Sequence, residues 1–308
     1  MNGRRMLGRL QAGIDTVMSW LPPSSDIAEL VPISMRMGVA EEALEDLLAF
    51  AVRDAAAGGD IEYVYDSYAC YQALLAYRVA HRVLSLPAPR RPLRTAARLL
   101  SEQAKVRTGV EIHPAATIGR RFVIDHGYGT VIGEQTSLGD DCYLLQGVTL
   151  GGLSIGYSNS CGTARRHPRI GSRVEIGGGA SVFGPVEIGD DCRLDSGVRV
   201  TFDVPSGARV KLVAVTQVSL SGRHVEVHSI STVTDGLLVT GSGLTNLTPA
   251  LLNEHRTVIA HLPVTQADDR FIKCGKPSVR PGRARLLGLF EEAILAHYVS
   301  GTTALREL

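Results

Sequence analysis

Between residues 110 and 204 the aliphatic side chains return every six residues, a period that neither an α-helix nor an ordinary alternating strand possesses. One series is Ile112, Ile118 and Ile124; the next is Ile132, Leu138, Leu144 and Leu150; the last is Ile170, Ile176, Val182, Ile188, Leu194 and Val200. Four residues after most of them stands a second small or apolar residue, among them Ala116, Thr136, Cys142, Val148, Val174, Ala180, Val186, Cys192, Val198 and Val204. Gly often follows the aliphatic residue directly, as at Gly119, Gly133, Gly139, Gly171, Gly177 and Gly189. Such a repeat is one short strand plus one turn, and stacked coils of it bury a continuous inner column. The pattern therefore predicts a parallel β-helix. Thirty-three glycines and only 5% aromatic residues suit a fold of tight turns and small interior side chains.

The period breaks twice. Ile124 to Ile132 is eight residues, two too many. Leu150 to Ile170 is twenty, one repeat plus about fourteen more, and the extra stretch LSIGYSNSCGTARR reads as an extruded loop. Interruptions of a regular scaffold are where function gathers. The first break holds His126; the second ends at Arg166-His167.

The flanks differ. Residues 1–108 read as a helical N-terminal domain, with apolar spacing in Leu44, Leu47, Leu48 and Val52 and again in Leu74, Leu75, Val79 and Leu84. The β-helix is assigned to 109–210. Residues 211–308 read as a C-terminal α+β extension of unknown role: short strands over 212–246, then an amphipathic helix over 283–299.

A formal net charge of +1 without long runs of one sign gives no footprint for nucleic acid or a membrane surface. No apolar run reaches the ~20 residues that span a bilayer. The five cysteines, Cys70, Cys142, Cys161, Cys192 and Cys274, are dispersed without CxxC spacing, which fits a reducing compartment. A cytoplasmic location is expected.

The segments VEIHPAATIGRRFVIDHGYGTVIGE, LLQGVTLGG and RHPRI occur in that order, preceded by ALLAYRVAH at residues 73–81. Over roughly residues 70–205 the chain resembles the serine O-acetyltransferases, hexapeptide-repeat acyltransferases of the left-handed β-helix type. The resemblance implies transfer of an acetyl group from acetyl-CoA, as co-substrate, to the side-chain hydroxyl of L-serine or a closely related amino acid, with no metal. A hydroxyl attacking a thioester must lose its proton as the bond forms, so a base with a pKa near neutrality is required, and His is suited to it. The resemblance makes His126 that base and Glu111 the carboxylate that orients it, where the family carries Asp. Glu111 also reads as a solvated repeat position. Asp125 matches the residue that holds the substrate's ammonium; Arg166 and His167 match those that hold its carboxylate and the reacting centre. A further substrate-binding acid is implied in the helical part, where Arg53-Asp54-Ala55-Ala56 resembles RDPA; Asp54 is the choice and Asp60 the alternative. Gly151 and Gly152 match the turn that contacts the CoA arm. Gly177, Gly178 and Gly179 match a second CoA segment and equally read as β-helix turn residues. A homotrimer with each site between neighbouring subunits is implied, with pairing of trimers through the N-terminal helices as a further possibility.

Three features depart from the family: Glu111, the long loop before Arg166, and the segment GARVKLVAVTQV, which leads into the C-terminal extension instead of closing the β-helix. They leave open another acceptor, such as homoserine, an amino alcohol or a sugar. Two other classes share the scaffold. A γ-type carbonic anhydrase needs three His ligands, and the paired His-x4-His spacing is absent. A non-enzymatic β-helix scaffold would not require the motifs above.

Overall fold

The computed structural model describes residues 3–22, 32–87, 90–154, 165–212, 216–220, 224–233, 236–253, 255–276, 286–292 and 294–300. The chain divides into two compact units, Met1–Leu212 and Val213–Leu308. Most of the loop expected over 153–166 lies outside the described residues.

In the first unit, helices α1 (Gly3–Met18), α2 (Ile33–Arg53), α3 (Ile61–Ser67), α4 (Ala69–Val83) and α5 (Arg90–Thr108) precede the β-helix. The first coil is β1 (Glu111–Ile112), β2 (Thr117–Ile118) and β3 (Val123–Ile124). The second is β4 (Val131–Ile132), β5 (Ser137–Leu138) and β6 (Tyr143–Leu144); the third is β7 (Thr149–Gly151), β8 (Arg169–Ile170) and β9 (Glu175–Ile176). Then come β10 (Ser181–Phe183), β11 (Glu187–Ile188), β12 (Arg193–Leu194), β13 (Arg199–Val200) and β14 (Arg209–Val210). Corresponding strands stack in parallel into three faces: β1-β4-β7-β10-β13, β2-β5-β8-β11 and β3-β6-β9-β12-β14. The wall is a triangular prism with three edges of turns.

The register accounts for both breaks. Val131 pairs with Thr149, eighteen residues on, which is three repeats of six. Glu111 pairs with Val131 at a step of twenty, and Ser137 with Arg169 at a step of thirty-two, so both insertions leave the pairing intact and are expelled from the wall. Every aliphatic residue of the six-residue series is buried, from Ile112 to Val200, and so is the second column from Ala116 to Val204. Glycine after the aliphatic residue is a packing requirement: a Cβ on Gly119 would lie 2.5 Å from the carbonyl carbon of Gly139 one coil on.

Helices and coils share one apolar core, which includes Leu47, Phe50, Leu74, Leu75, Leu100, Phe122 and Ile124. A buried ion pair fixes their relation. Arg78 of α4 donates Nε to Asp46 Oδ2 of α2 at 2.9 Å and Nη1 to the Ile118 carbonyl at 2.7 Å, while Asp46 Oδ1 accepts from the Phe122 amide at 3.0 Å. These bonds satisfy both charges and tie the end of α2 to the first coil.

The second unit corrects one expectation. Its described residues contain strands and no helix. The sheet β15 (Thr216–Ser219), β23 (Ile294–Ser300), β22 (Leu286–Glu291), β18 (Thr248–Leu252), β19 (Val258–His261) and the sheet β16 (Glu226–Val233), β17 (Gly236–Ser242), β21 (Phe271–Gly275), β20 (Val264–Ala267) are antiparallel. They enclose a core with Val227, Leu237, Val239, Leu251, Ile272, Leu287, Leu289 and Val299. The described part of the predicted helix 283–299 is the hairpin β22–β23: Glu292 turns at φ 46°, and Leu287 pairs with Val299. Cross-strand partners on both sides, β18 and β15, override the helical apolar spacing.

Candidate active site

The two-residue insertion lies between β3 and β4, on the edge joining the third and first faces. His126 occupies it in the left-handed region at φ 57°, where His is more tolerated than most side chains. Gly127 follows because a Cβ there would lie 2.7 Å from Cys70 Sγ and 3.0 Å from Val110 Cγ2. The Gly129 amide donates to the Gly109 carbonyl at 2.9 Å and the Thr130 amide to the Gly127 carbonyl at 3.0 Å, so the turn is anchored. The His126 side chain is 74% exposed and its Nε2 lies 3.8 Å from Asp125 Oδ1.

Asp125 is only 17% exposed and its Oδ2 accepts a 2.7 Å hydrogen bond from the Tyr143 hydroxyl. Arg53, the last residue of α2, lays its guanidinium 4.7 Å from the centre of the Tyr143 ring and donates Nη1 to the Asp141 carbonyl at 2.8 Å. Asp54 follows it. One Asp54 oxygen accepts from the Ala56 amide at 2.9 Å, and the other accepts from the Tyr68 hydroxyl. That bond, burial and the nearby charges of Asp54 and Asp125 hold the Tyr68 phenol in its neutral form well above its ordinary range. Burial and the bond to Asp125 raise Tyr143 likewise, and Asp54 contributes. Asp54 and Asp125 thus act on the same two tyrosines, and Asp125 adjoins His126. Asp60 is elsewhere occupied: it caps α3, accepting from the Glu62 and Tyr63 amides at 2.9 and 3.1 Å. A cavity of about 530 Å³ adjoins Tyr143, lined also by Leu145, Glu175, Gly177, Arg193 and Asp195.

Arg166 and His167 lie on the edge between the first and second faces. His167 precedes β8 and packs over Gly133, where a Cβ would come 2.2 Å from its ring. Gln135 Oε1 accepts from the Arg166 amide at 2.8 Å and lies 3.4 Å from His167 Nδ1. Arg166 Nη2 donates to the Ser154 carbonyl at 3.0 Å. Burial first, then the Arg166 charge, lowers the His167 pKa below that of a free imidazole, against Glu134. A cavity of about 1100 Å³ adjoins this edge, with Arg94, Arg98, Glu102, His113 and Glu134 in its wall.

Glu111 stands on the first face and turns to α5. Lys105 Nζ is 2.6 Å and Arg98 Nη2 is 3.2 Å from its carboxylate. Burial alone would raise this carboxyl; the bond to Lys105 and the Arg98 charge outweigh it and hold the pKa below the ordinary value. Within the chain, then, Glu111 is bound by α5 and not by His126.

The glycines have local roles. Gly129, Gly147, Gly179 and Gly197 form a column on the third–first edge, all with φ between 68° and 77°. A Cβ on Gly177 would lie 2.4 Å from the Ser196 amide nitrogen, and one on Gly178 would lie 2.9 Å from Gln146 Nε2. A Cβ on Gly151 would lie 3.3 Å from the Phe183 ring, and one on Gly152 would lie 3.3 Å from Arg166 Nη2. Among the described residues no group of three or more His, Cys, Asp and Glu side chains is arranged to hold a metal ion.

Sequence reasoning missed Tyr68, Tyr143 and Gln135. Tyr143 carried a signal: it is an aromatic residue at an outward repeat position otherwise filled by Val123, Glu175 and Arg193. Gln135 stands in a turn and carried none.

No protein-family model matches the chain. A serine acetyltransferase of Helicobacter pylori strain J99 is 44% identical over 141 residues, which is 46% of this chain and 76% of that protein. The Mycobacterium tuberculosis serine acetyltransferase is 41% identical over 165 residues, 54% of this chain and 67% of that one. The crystal structure of the Neisseria gonorrhoeae serine acetyltransferase superposes with a TM-score of 0.55 at 30% identity, over 66% of this chain and 75% of that one. A serine acetyltransferase complex with CoA superposes at 0.54 and 27% identity, over 66% and 81%. The prism is the left-handed β-helix of these enzymes, and the chain belongs to the serine acetyltransferase family.

Proposed function

We propose that the chain moves an acetyl group from acetyl-CoA to the side-chain hydroxyl of L-serine or a closely related amino acid, with His126 as general base. The observation that carries this reading is the exposed His126 ring, held in a left-handed turn beside Asp125, whose other oxygen is fixed by the Tyr143 hydroxyl. The acceptor hydroxyl gives its proton to His126 as its oxygen attacks the thioester carbon. The tetrahedral intermediate then expels the CoA thiolate, which takes the proton from the imidazolium. Asp125 and Asp54 receive the acceptor's ammonium; Arg166 and His167 receive its carboxylate and the reacting centre. Related enzymes are known in complex with serine and with CoA, which supports both substrates here.

His126 and His167 occupy different edges of the prism. A three-fold assembly that sets the third–first edge of one copy against the first–second edge of the next unites them, so we propose a homotrimer, with pairing of trimers as a further step. The same contact would line the CoA groove with Gly151 and Gly152 from one edge and Gly177, Gly178 and Gly179 from the other. Glu111 orients His126 only if its carboxylate leaves Lys105 and Arg98. Unpaired Cys70, Cys142, Cys192 and Cys274 suit a reducing compartment, and no described helix is long and apolar enough to cross a membrane, so we place the reaction in the cytoplasm.

The test is CoA release from acetyl-CoA with L-serine, D-serine, homoserine, threonine and a simple sugar, with His126→Ala as control and light scattering for mass. Turnover with L-serine that is lost in the variant supports the reading. Turnover with another amino alcohol alone moves the acceptor and keeps the mechanism. Neither turnover nor CoA binding would reduce the likeness to fold, and a stable monomer would sink the shared site.

A further inference from the structure

We infer that Tyr143 is a positioning residue that sets the acceptor's requirement for an amine: it holds one oxygen of Asp125 so that the other is kept for the ammonium. The inference rests on the reading of Asp125 given above.

Tyr143 occupies an outward position of the third face, stacked between Val123 one coil below and Glu175 one coil above. Packing against the core and under Arg53 accounts for its ring and asks nothing of its hydroxyl. Yet the hydroxyl is spent on Asp125 Oδ2 at 2.7 Å, while Oδ1 faces His126 Nε2 at 3.8 Å. The latter distance is beyond a hydrogen bond. An ammonium needs an acceptor close to the base but not consumed by it, and that gap supplies one.

The ring cannot readily leave. Arg53 stacks on it at 4.7 Å and is itself fixed by the Asp141 carbonyl, with Glu175 Oε1 3.7 Å from its Nη2. A group locked by such supporting contacts holds its geometry through binding. Arg53 and Asp54 are consecutive, so one helix end carries both the brace of Tyr143 and the second carboxylate.

Without the hydroxyl, Asp125 loses its fixed orientation and its other oxygen is no longer held in place for an ammonium. Tyr143→Phe should therefore raise KM for L-serine about tenfold or more, the size of a lost charge-assisted hydrogen bond. kcat and KM for acetyl-CoA should stay near the unaltered values. The decisive readout is discrimination between L-serine and 3-hydroxypropanoate, which keeps the hydroxyl and carboxylate and lacks the amine. Inhibition or turnover by 3-hydroxypropanoate should not change, so the preference for L-serine falls by the same factor as KM rises. Arg53→Met, which leaves the hydroxyl and removes its brace, should show the same pattern more weakly. An unchanged preference in Tyr143→Phe overturns the inference. So does equal weakening of both ligands, or a fall in kcat alone, or a lowered melting temperature with uniform loss of activity. If the unaltered enzyme acetylates no amino-acid acceptor, the proposed reaction itself fails, a different outcome from altered discrimination.

Discussion

Two edges of the prism are built from one backbone conformation and used in opposite ways. On the second–third edge the left-handed positions are Arg121, Asp141, Arg173 and Asp191, with Gly207 in the last coil; on the third–first edge they are Gly129, Gly147, Gly179 and Gly197, besides the inserted His126 and Gly127. From the second coil on, these positions donate their amides to the coil before, as Asp141 does to the Arg120 carbonyl at 2.9 Å and Gly179 to the Gln146 carbonyl at 2.8 Å. Side chains in this conformation cost ~1–2 kcal/mol each. Against that cost the second–third edge sets only exposed pairs, which contribute little: Arg121 on Asp141 and Arg173 on Asp191, both bidentate with bonds of 2.6 and 2.8 Å. Its polar groups are answered from the next coil. The third–first edge avoids the cost with glycine, except in the inserted turn, where His126 bears it with an exposed ring. A strained residue whose side chain is not used by the scaffold is a candidate for chemistry.

The largest effect that would sharpen this contrast is His126→Asn. Asn tolerates the left-handed region but is no base. kcat/KM should fall about a hundred- to ten-thousand-fold in the CoA-release assay, with the melting temperature nearly unchanged. A variant that melts early while keeping activity would make His126 a structural residue.

Gly119→Ala tests the other edge. Its Cβ would press on the Gly139 backbone at 2.5 Å, so the coils must part. The loss should be ~1–3 kcal/mol by chemical denaturation, with kcat retained. Gly179→Ala meets nothing within 4 Å and carries only the conformational cost, ~1–2 kcal/mol. It also separates two roles: an accompanying rise in KM for acetyl-CoA would place Gly179 in the CoA groove, and an unchanged KM would leave it a turn residue.

Arg173→Ala removes an exposed bidentate pair, its side chains 52% and 55% exposed, and should lower stability only slightly, by an amount that shrinks with salt. The smallest effect concerns Glu111. Its folded pKa is lowered from an ordinary 4.5, so its ion pairs stabilise the fold above that value and the contribution is lost as pH falls through the lowered one. Lys105→Met should flatten the acid side of the stability profile slightly. An identical profile would mean that Lys105 does not hold Glu111 in solution.

The inward column, the two expulsions from the wall and the identity of the inserted histidine were legible in the sequence, because a period of six leaves one solution for which side chains face in. Every coil repeats the same contacts, so local pattern and tertiary pattern coincide there. The C-terminal unit shows the opposite case. The run from Leu286 to Val299 carries helical spacing, and pairing with β18 and β15 made it a hairpin. Strand partners so far apart in the chain leave no local trace.

The site divides along the same line. The residue types of the proposed site and their order stand in the motifs, so the candidates His126, Asp125, Arg166 and His167 can be picked out in the sequence alone. Tertiary structure alone decided that His126 and His167 lie on different edges, that Asp54 shares two tyrosines with Asp125 while Asp60 caps α3, that Tyr143 and Tyr68 hold the two carboxylates, and that Glu111 is drawn to α5. The physical reason is distance along the chain. A repeat specifies what a residue does relative to the wall, but a hydrogen bond from Tyr143 to Asp125, or from Arg53 to the second coil, depends on how coils and helices stack. That stacking is set by the shared core and the buried Asp46–Arg78 pair, not by any segment read alone.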